Sequence, residues 1–222
     1  MTDIKCIIYD LDGLLLDTEP FYTRVNQMIA GRFGKNFDWS IKSKMIGRRA
    51  IESARVLIES LQLPISPEEY FEERRHLLEE LFPQARPMAG AKRLTQHFHR
   101  HLIPQAIATS SDCRYFDLKT SGHGDWFGIF DCFVKGDDPE VRHGKPAPDI
   151  FLAAARRLNT LPRNCLVFED APSGLQAAHA AGMPVVAVPD PNMDRQEYPD
   201  AEQILNSLEE FDPACWGLPP FD

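Results

Sequence analysis

The sequence predicts an α/β protein: a Rossmann-like doubly wound parallel sheet, interrupted after its first strand by an all-helical insert. Three observations predict it. From about residue 88 onward, short apolar runs alternate with helical patterns, as in a parallel sheet flanked by helices. One further run, "IKCIIY" at 4–9, stands alone near the beginning. Between them, from about Pro20 to Phe82, apolar residues lie three and four apart, which is helical spacing. The expected division is a core of 1–16 with 88–222 and a helical insert, or cap, of 17–87.

Each element has its own reason. Residues 4–9 are rich in isoleucine and lack polar alternation, which suits a strand covered on both faces. In the insert, "FYTRVNQMIAGRF", "AIESARVLIESL" and "YFEERRHLLEELF" carry amphipathic helical spacing. Met28, Ile29, Phe33, Val56 and Leu57 are its expected core. "SPEE" reads as a helix start, with Ser66 as N-cap, Pro67 at the first position and Glu69 placed to reach back. After "PQARPMAG" come a helix "AKRLTQHFHRH", strands "IPQAIATSS" and "CFVKG", a helix "PDIFLAAARRLN" and a strand "CLVFEDA". The helix "SGLQAAHAAG" follows, with Ser173 expected as N-cap and Gly182 as its stop, and then the strand "PVVAV". His97, His99 and His101 recur at period two inside a helical pattern. They are not expected to share one face, which argues against a metal role.

Composition excludes some classes of function. The 222 residues are 43% hydrophobic and 26% charged, with a net charge of -9. An acidic chain without a basic run is poorly suited to a nucleic-acid polymer or an anionic membrane surface. No window is long and apolar enough to span a bilayer, and the N-terminus lacks the order of a signal peptide. The five cysteines include no C-x-x-C pair, and Cys6 and Cys165 fall in apolar runs as buried, reduced thiols. The chain reads as cytoplasmic, with monomer as the default.

Three predicted strands end in polar residues: Asp10 and Asp12, Thr109 and Ser110, Glu169 and Asp170. Ligands of open parallel sheets bind at such carboxyl ends. Residues i and i+2 of a strand share a side, so Asp10 and Asp12 are expected to converge, with Asp170 entering from a neighbouring strand. Clustered carboxylates demand a cation, and hard oxygen donors suit Mg²⁺. Lys145, in "HGKPAPD", would add fixed positive charge. Thr109 offers a hydroxyl, and backbone N–H groups after it open a helix, which is an anion site. Together these groups form a phosphoryl-transfer constellation.

The blocks "DLDGLLLDTE", "ATSS", "GKPAPD" and "FEDAPSG", in this order and spacing, resemble the four motifs of the haloacid dehalogenase superfamily of phosphotransferases. The helical insert resembles the mobile cap of the subclass that includes beta-phosphoglucomutase. Within the superfamily, "GDDPEV", "CLVFEDAP" and the ending "GLPPFD" are similar to the animal pseudouridine-5'-phosphatases. The resemblance implies Asp10 as nucleophile and Asp12 as the acid and base. It implies Mg²⁺ on Asp10, the Asp12 carbonyl and Asp170, with Glu169 near that shell. It also implies phosphate binding by Thr109, the Ser110 backbone and Lys145, and a small phosphorylated metabolite, pseudouridine 5'-phosphate, as substrate. Gly13 would give turning freedom beside the acids. Selectivity is expected in the hinge and cap between Thr18 and Arg49, with Glu19, Tyr22, Asn26 and Arg48 as candidates. The mutases' extra histidine and cap arginine fall here on Tyr22 and Ala50, which favours hydrolysis over mutase chemistry. A phosphometabolite-sensing regulatory protein is the non-enzyme alternative, and the intact Asp10 and Asp12 argue against it. Asp12 and the Glu169–Asp170 pair argue against a dehalogenase.

Overall fold

A computed structural model describes residues 3–45 and 50–221, with Ser43 and Ala50 described by their backbone alone. The first strand, β1 (Cys6–Tyr9), has every residue buried. It lies between β4 (Gln105–Ala108) and β6 (Cys165–Glu169), parallel to both. β5 (Cys132–Val134) extends the sheet beyond β4, and β7 (Val185–Ala187) and β8 (Gln203–Ile204) extend it beyond β6, again in parallel. The order is β5-β4-β1-β6-β7-β8. The chain winds outward in one direction through β4 and β5, then returns to β6 on the other side of β1. The carboxyl ends of β1, β4 and β6 therefore flank the point where the winding reverses, where ligands of such sheets bind.

The chain divides into two compact units, Met1–Asp17 with Arg86–Asp222, and Thr18–Ala85. In the first, a short antiparallel ribbon pairs β2 (Leu16–Asp17) with β3 (Arg86–Pro87). Asp17, Arg86 and Pro87 thus belong with the sheet unit by their pairing, whereas the expected insert of 17–87 takes in all three. The helices of this unit are α5 (Ala91–Arg100), α6 (Cys113–Thr120), α7 (Gly124–Phe127), α8 (Asp149–Arg157) and α9 (Pro172–Ala180). Ile150, Phe151, Ala153 and Ala154 of α8 and Leu175, Ala177 and Ala178 of α9 pack with Ile8, Val167 and Val185 of the strands. Burial of each large aliphatic side chain contributes about 1.5–3 kcal/mol. Cys6 and Cys165 stand opposite each other in register, buried and unbridged.

The second unit is helical: α1 (Glu19–Gly31), α2 (Trp39–Met45), α3 (Ala50–Leu61) and α4 (Pro67–Leu81). α4 opens on a full capping box, with Glu69 N–H donating to Ser66 Oγ and Ser66 N–H to Glu69 Oε2. Ile29 and Leu57 are buried here, but Met28 is 41% exposed. It shares the helical period but lies at the edge of the buried stripe that holds Val25 and Ile29.

Two local expectations change in three dimensions. α9 starts one residue before Ser173, with Ala171 at the cap position and no side-chain cap; Pro172 supplies the helical φ that a capping hydroxyl would otherwise help to nucleate. Gly182 follows the helix at φ +75°, the left-handed stop that glycine allows. His97 and His101 do share a face, being four apart on α5, with ring centroids 4.4 Å apart. His97 Nε2 is 2.8 Å from the Pro219 carbonyl, so this face is covered by the C-terminal segment.

Candidate active site

Asp10 directly follows β1 and is buried, its N–H held by the Phe168 carbonyl of β6 at 3.0 Å. Its Oδ1 lies 2.5 Å from Lys145 Nζ. The same ammonium group reaches Glu169 Oε1 at 2.5 Å and donates to the Ala108 carbonyl at 3.1 Å. Three strand ends therefore converge on one lysine. Burial pushes the Asp10 carboxyl up to about 7; Lys145 opposes that rise, while Glu169 and Asp12 add to it. Burial acts to lower Lys145, but Asp10 and Glu169 outweigh it and hold the ammonium charged well above its ordinary range.

Glu169 is the mount of this arrangement. Its Oε2 accepts from the N–H groups of Asp170 and Ala171, at 3.0 and 3.2 Å, at the start of α9. A helix N-terminus favours such a carboxylate. A side chain at Gly174 would collide with the Glu169 carboxyl group, so glycine is needed there to admit it. Both Glu169 oxygens are engaged by protein groups: Oε1 by Lys145 and Oε2 by the two backbone N–H groups. The Asp170 carboxylate lies against Gly13, whose φ of +77° and lack of Cβ permit the approach. Tyr198 Oη donates to the Asp170 carbonyl.

Asp12 is held separately. The strand ends at Tyr9, so the side-sharing rule for i and i+2 does not govern it, and Asp12 turns to a different cation. Its Oδ1 lies 2.6 Å from Lys119 Nζ of α6, and its Oδ2 accepts from Ser111 Oγ at 2.8 Å. Sequence reasoning missed both partners. The block "ATSS" points to Thr109 and Ser110 and leaves out Ser111's partner, since no residue type in "FDLKTSG" marks Lys119 apart from other helix lysines. A signal existed in the period: Phe116, Lys119 and Thr120 are three and four apart, and Phe116 is buried.

Thr109 is buried, and its Oγ1 accepts from Ser111 N–H at 3.1 Å, shaping the loop that leads into α6. Ser110 is exposed, and its carbonyl is approached so closely by Gly136 that a side chain there would collide with it. Of the candidates in the helical unit, Asn26 is buried and accepts from Tyr70 Oη at 2.7 Å, an internal tie within that unit. Tyr22 packs edge-on against Phe82 with Arg74 over its ring. Glu19 pairs with Lys42 at 3.2 Å. Thr18 is buried at the cap position of α1, without a side-chain cap bond. Arg48 lies outside the described residues.

Among the described residues no three acidic, histidine or cysteine side chains already stand together as a metal set. The donor chemistry nonetheless fits a hard dication. Asp10, Asp12, Glu169 and Asp170 bring four carboxylates to one end of the sheet, against the two ammonium groups of Lys119 and Lys145. That leaves an excess of negative charge on oxygen donors alone.

The site thus sets a buried carboxylate beside a lysine at the reversal point of a parallel sheet flanked by helices, with a second acid two residues on. The model of the haloacid dehalogenase-like hydrolases matches residues 4–182. The chain belongs to that family. It is 52% identical to (DL)-glycerol-3-phosphatase 2 of Arabidopsis thaliana, over 99% of this chain and 93% of the relative. It is 45% identical to Probable pseudouridine-5'-phosphatase of Drosophila melanogaster, over 96% and 94%. Its fold matches that of a HAD family hydrolase from Deinococcus radiodurans R1 over the whole of both chains, with a TM-score of 0.82 at 23% identity.

Proposed function

We propose that this chain, a phosphomonoester hydrolase, acts on small primary-alcohol phosphates through an aspartyl-phosphate on Asp10. The observation that carries the reading is the Lys145 bridge. It clamps Asp10 and Glu169 where a carboxylate oxygen can attack phosphorus, with its charge offset on one side. In the first half-reaction Asp10 forms a bond to phosphorus, the ester P–O bond breaks, and the leaving oxygen takes a proton from Asp12. In the second, water attacks phosphorus, Asp12 takes a proton back, and the Asp10–P bond breaks, leaving phosphate. Thr109, the Ser110 backbone and Lys145 hold the phosphoryl group. Asp10, the Asp12 carbonyl and Asp170 would hold Mg²⁺, which when bound neutralises charge on the phosphoryl oxygens.

The names of the two relatives share a leaving-group type. Glycerol 3-phosphate and pseudouridine 5'-phosphate are both esters of a primary alcohol. Such alcohols are poor leaving groups, and a positioned acid matters most for them. The sequence resemblance favours pseudouridine 5'-phosphate, and the relative of 52% identity favours glycerol 3-phosphate. Phosphate release from both, and from uridine 5'-phosphate, with Mg²⁺ and with a chelator, tests the proposal. Release that depends on Mg²⁺ is expected. A preference of roughly 10⁴-fold for pseudouridine over uridine 5'-phosphate would mark a site that hydrogen-bonds the additional ring N–H, against about 10²-fold for shape alone. Similar values for those two, with glycerol 3-phosphate faster, assign the smaller leaving group. Release unchanged by the chelator, or none from any of the three, would sink the mechanism.

A further inference from the structure

We propose that Lys119, together with Ser111, is the positioning residue of Asp12. The inference rests on the reading of Asp12 as the proton donor and acceptor. Lys119 is the least expected charge in the molecule: its side chain is 0% exposed. A buried lysine is costly unless it is paired and hydrogen-bonded. Lys119 meets that requirement at the catalytic turn, with Nζ 2.6 Å from Asp12 Oδ1 and 2.7 Å from Ser111 Oγ. Ser111 Oγ in turn donates to Asp12 Oδ2 at 2.8 Å. Lysine, serine and carboxylate form a closed triangle.

The triangle has a directional consequence. With each oxygen tied to a different partner, rotation of the Asp12 carboxyl group about its terminal torsion breaks at least one short bond. That torsion is otherwise broad. The ties also come from a useful place. Ser111 lies next to Ser110 in the loop that leads from β4 into α6, and Lys119 lies on α6 itself. The group that moves the proton is therefore held by the element that carries the phosphate-binding loop. A proton donor must lie within hydrogen-bond reach of the leaving oxygen, and a shift of about 1 Å can cost on the order of 10²-fold. Lys119 need not touch the substrate to matter.

The test separates the two half-reactions, because Asp12 serves both and a good leaving group relieves it of the first. Lys119→Met, close in shape and apolar, and Ser111→Ala are compared with the wild type on an alkyl phosphate in the steady state. They are also compared on p-nitrophenyl phosphate by rapid mixing. For Lys119→Met the expected result is a loss of about 10- to 100-fold in alkyl turnover. With the aryl ester, a burst of about one equivalent of nitrophenol at near wild-type rate should precede slow turnover. Ser111→Ala should show the same pattern with a smaller loss, and it decides the matter if Lys119→Met does not fold. Wild-type kinetics in the folded variants would overturn the inference. So would an aryl burst slowed as much as alkyl turnover, since that marks general loss of the site. A wild type that cleaves neither ester would overturn the phosphatase reading itself, and this inference with it.

Discussion

Asp10 and Asp12 stand two residues apart and occupy opposite kinds of surroundings. Asp10 is buried, shares its lysine with a second buried carboxylate, and is pushed up to about 7. Asp12 keeps 21% of its side chain open and is paired with Lys119. The difference matches two kinds of work. A nucleophilic oxygen gains from removal of water, which strengthens nearby charges and keeps competitors out. A group that passes protons between a leaving alcohol and water must remain reachable by both. Under the proposed mechanism, burial and partner give two like residues on one turn different chemistry.

The comparison breaks most visibly at the nucleophile. Asp10→Asn should lower turnover of any phosphate ester by at least roughly a thousandfold, the scale of removing a covalent nucleophile. Asp12→Asn should spare the aryl burst while slowing the alkyl ester. Turnover of an aryl phosphate by Asp10→Asn near the wild-type rate would reverse the two assignments.

The lysines sharpen the comparison through stability. Lys145→Met leaves Asp10 and Glu169 buried together without their cation. Breaking a buried pair in this way costs about 3–5 kcal/mol, or a fall of roughly 10 °C in Tm for a chain of this size. Lys119→Met leaves a carboxylate that water can reach, so its fall should be clearly smaller. Equal losses by differential scanning calorimetry would mean that the two halves of the site are equally dry.

The smallest effect is a pH dependence. In metal-free protein Asp10 holds its proton up to about 7 when folded, against 3.8 for an ordinary, solvated aspartate. Between those limits the folded chain carries a proton that the unfolded chain has released. Stability from this group therefore falls as pH rises through that window and is lost above about 7. Asp10→Asn, which never ionises, should match wild type near pH 4 and melt a few degrees higher at pH 8. A constant difference from pH 4 to 8 would remove the desolvation argument for Asp10.

Much of this was legible because it is local. The capping box at Ser66 needs three residues and a turn of helix. Strand ends at Asp10, Thr109 and Glu169 follow from apolar runs that stop. Gly13 announces a turn, although its closeness to Asp170 does not follow from the turn. Other features rest on a distant residue that the local pattern does not name. Asn26, a candidate for substrate, accepts from Tyr70 inside the helical unit, 44 positions away. Met28 keeps the helical period of Ile29 but lies, exposed, at the edge of the buried stripe.

The sequence by itself determined the alternation of strand and helix, the helical insert, the four polar blocks and the presence of two acids at one strand end. Periodicity, caps and turn residues act over a few positions, so the chain displays them openly. Only the tertiary structure decided which cation each acid receives. Lys145 goes to Asp10 and Glu169 because three strand ends meet at the reversal point of the sheet. Lys119 goes to Asp12 because α6 packs beside the first loop, bringing Ser111 to a residue 99 positions away. A lysine's charge is written in the sequence; its burial, and hence the strength of what it does, depends on what the fold places around it.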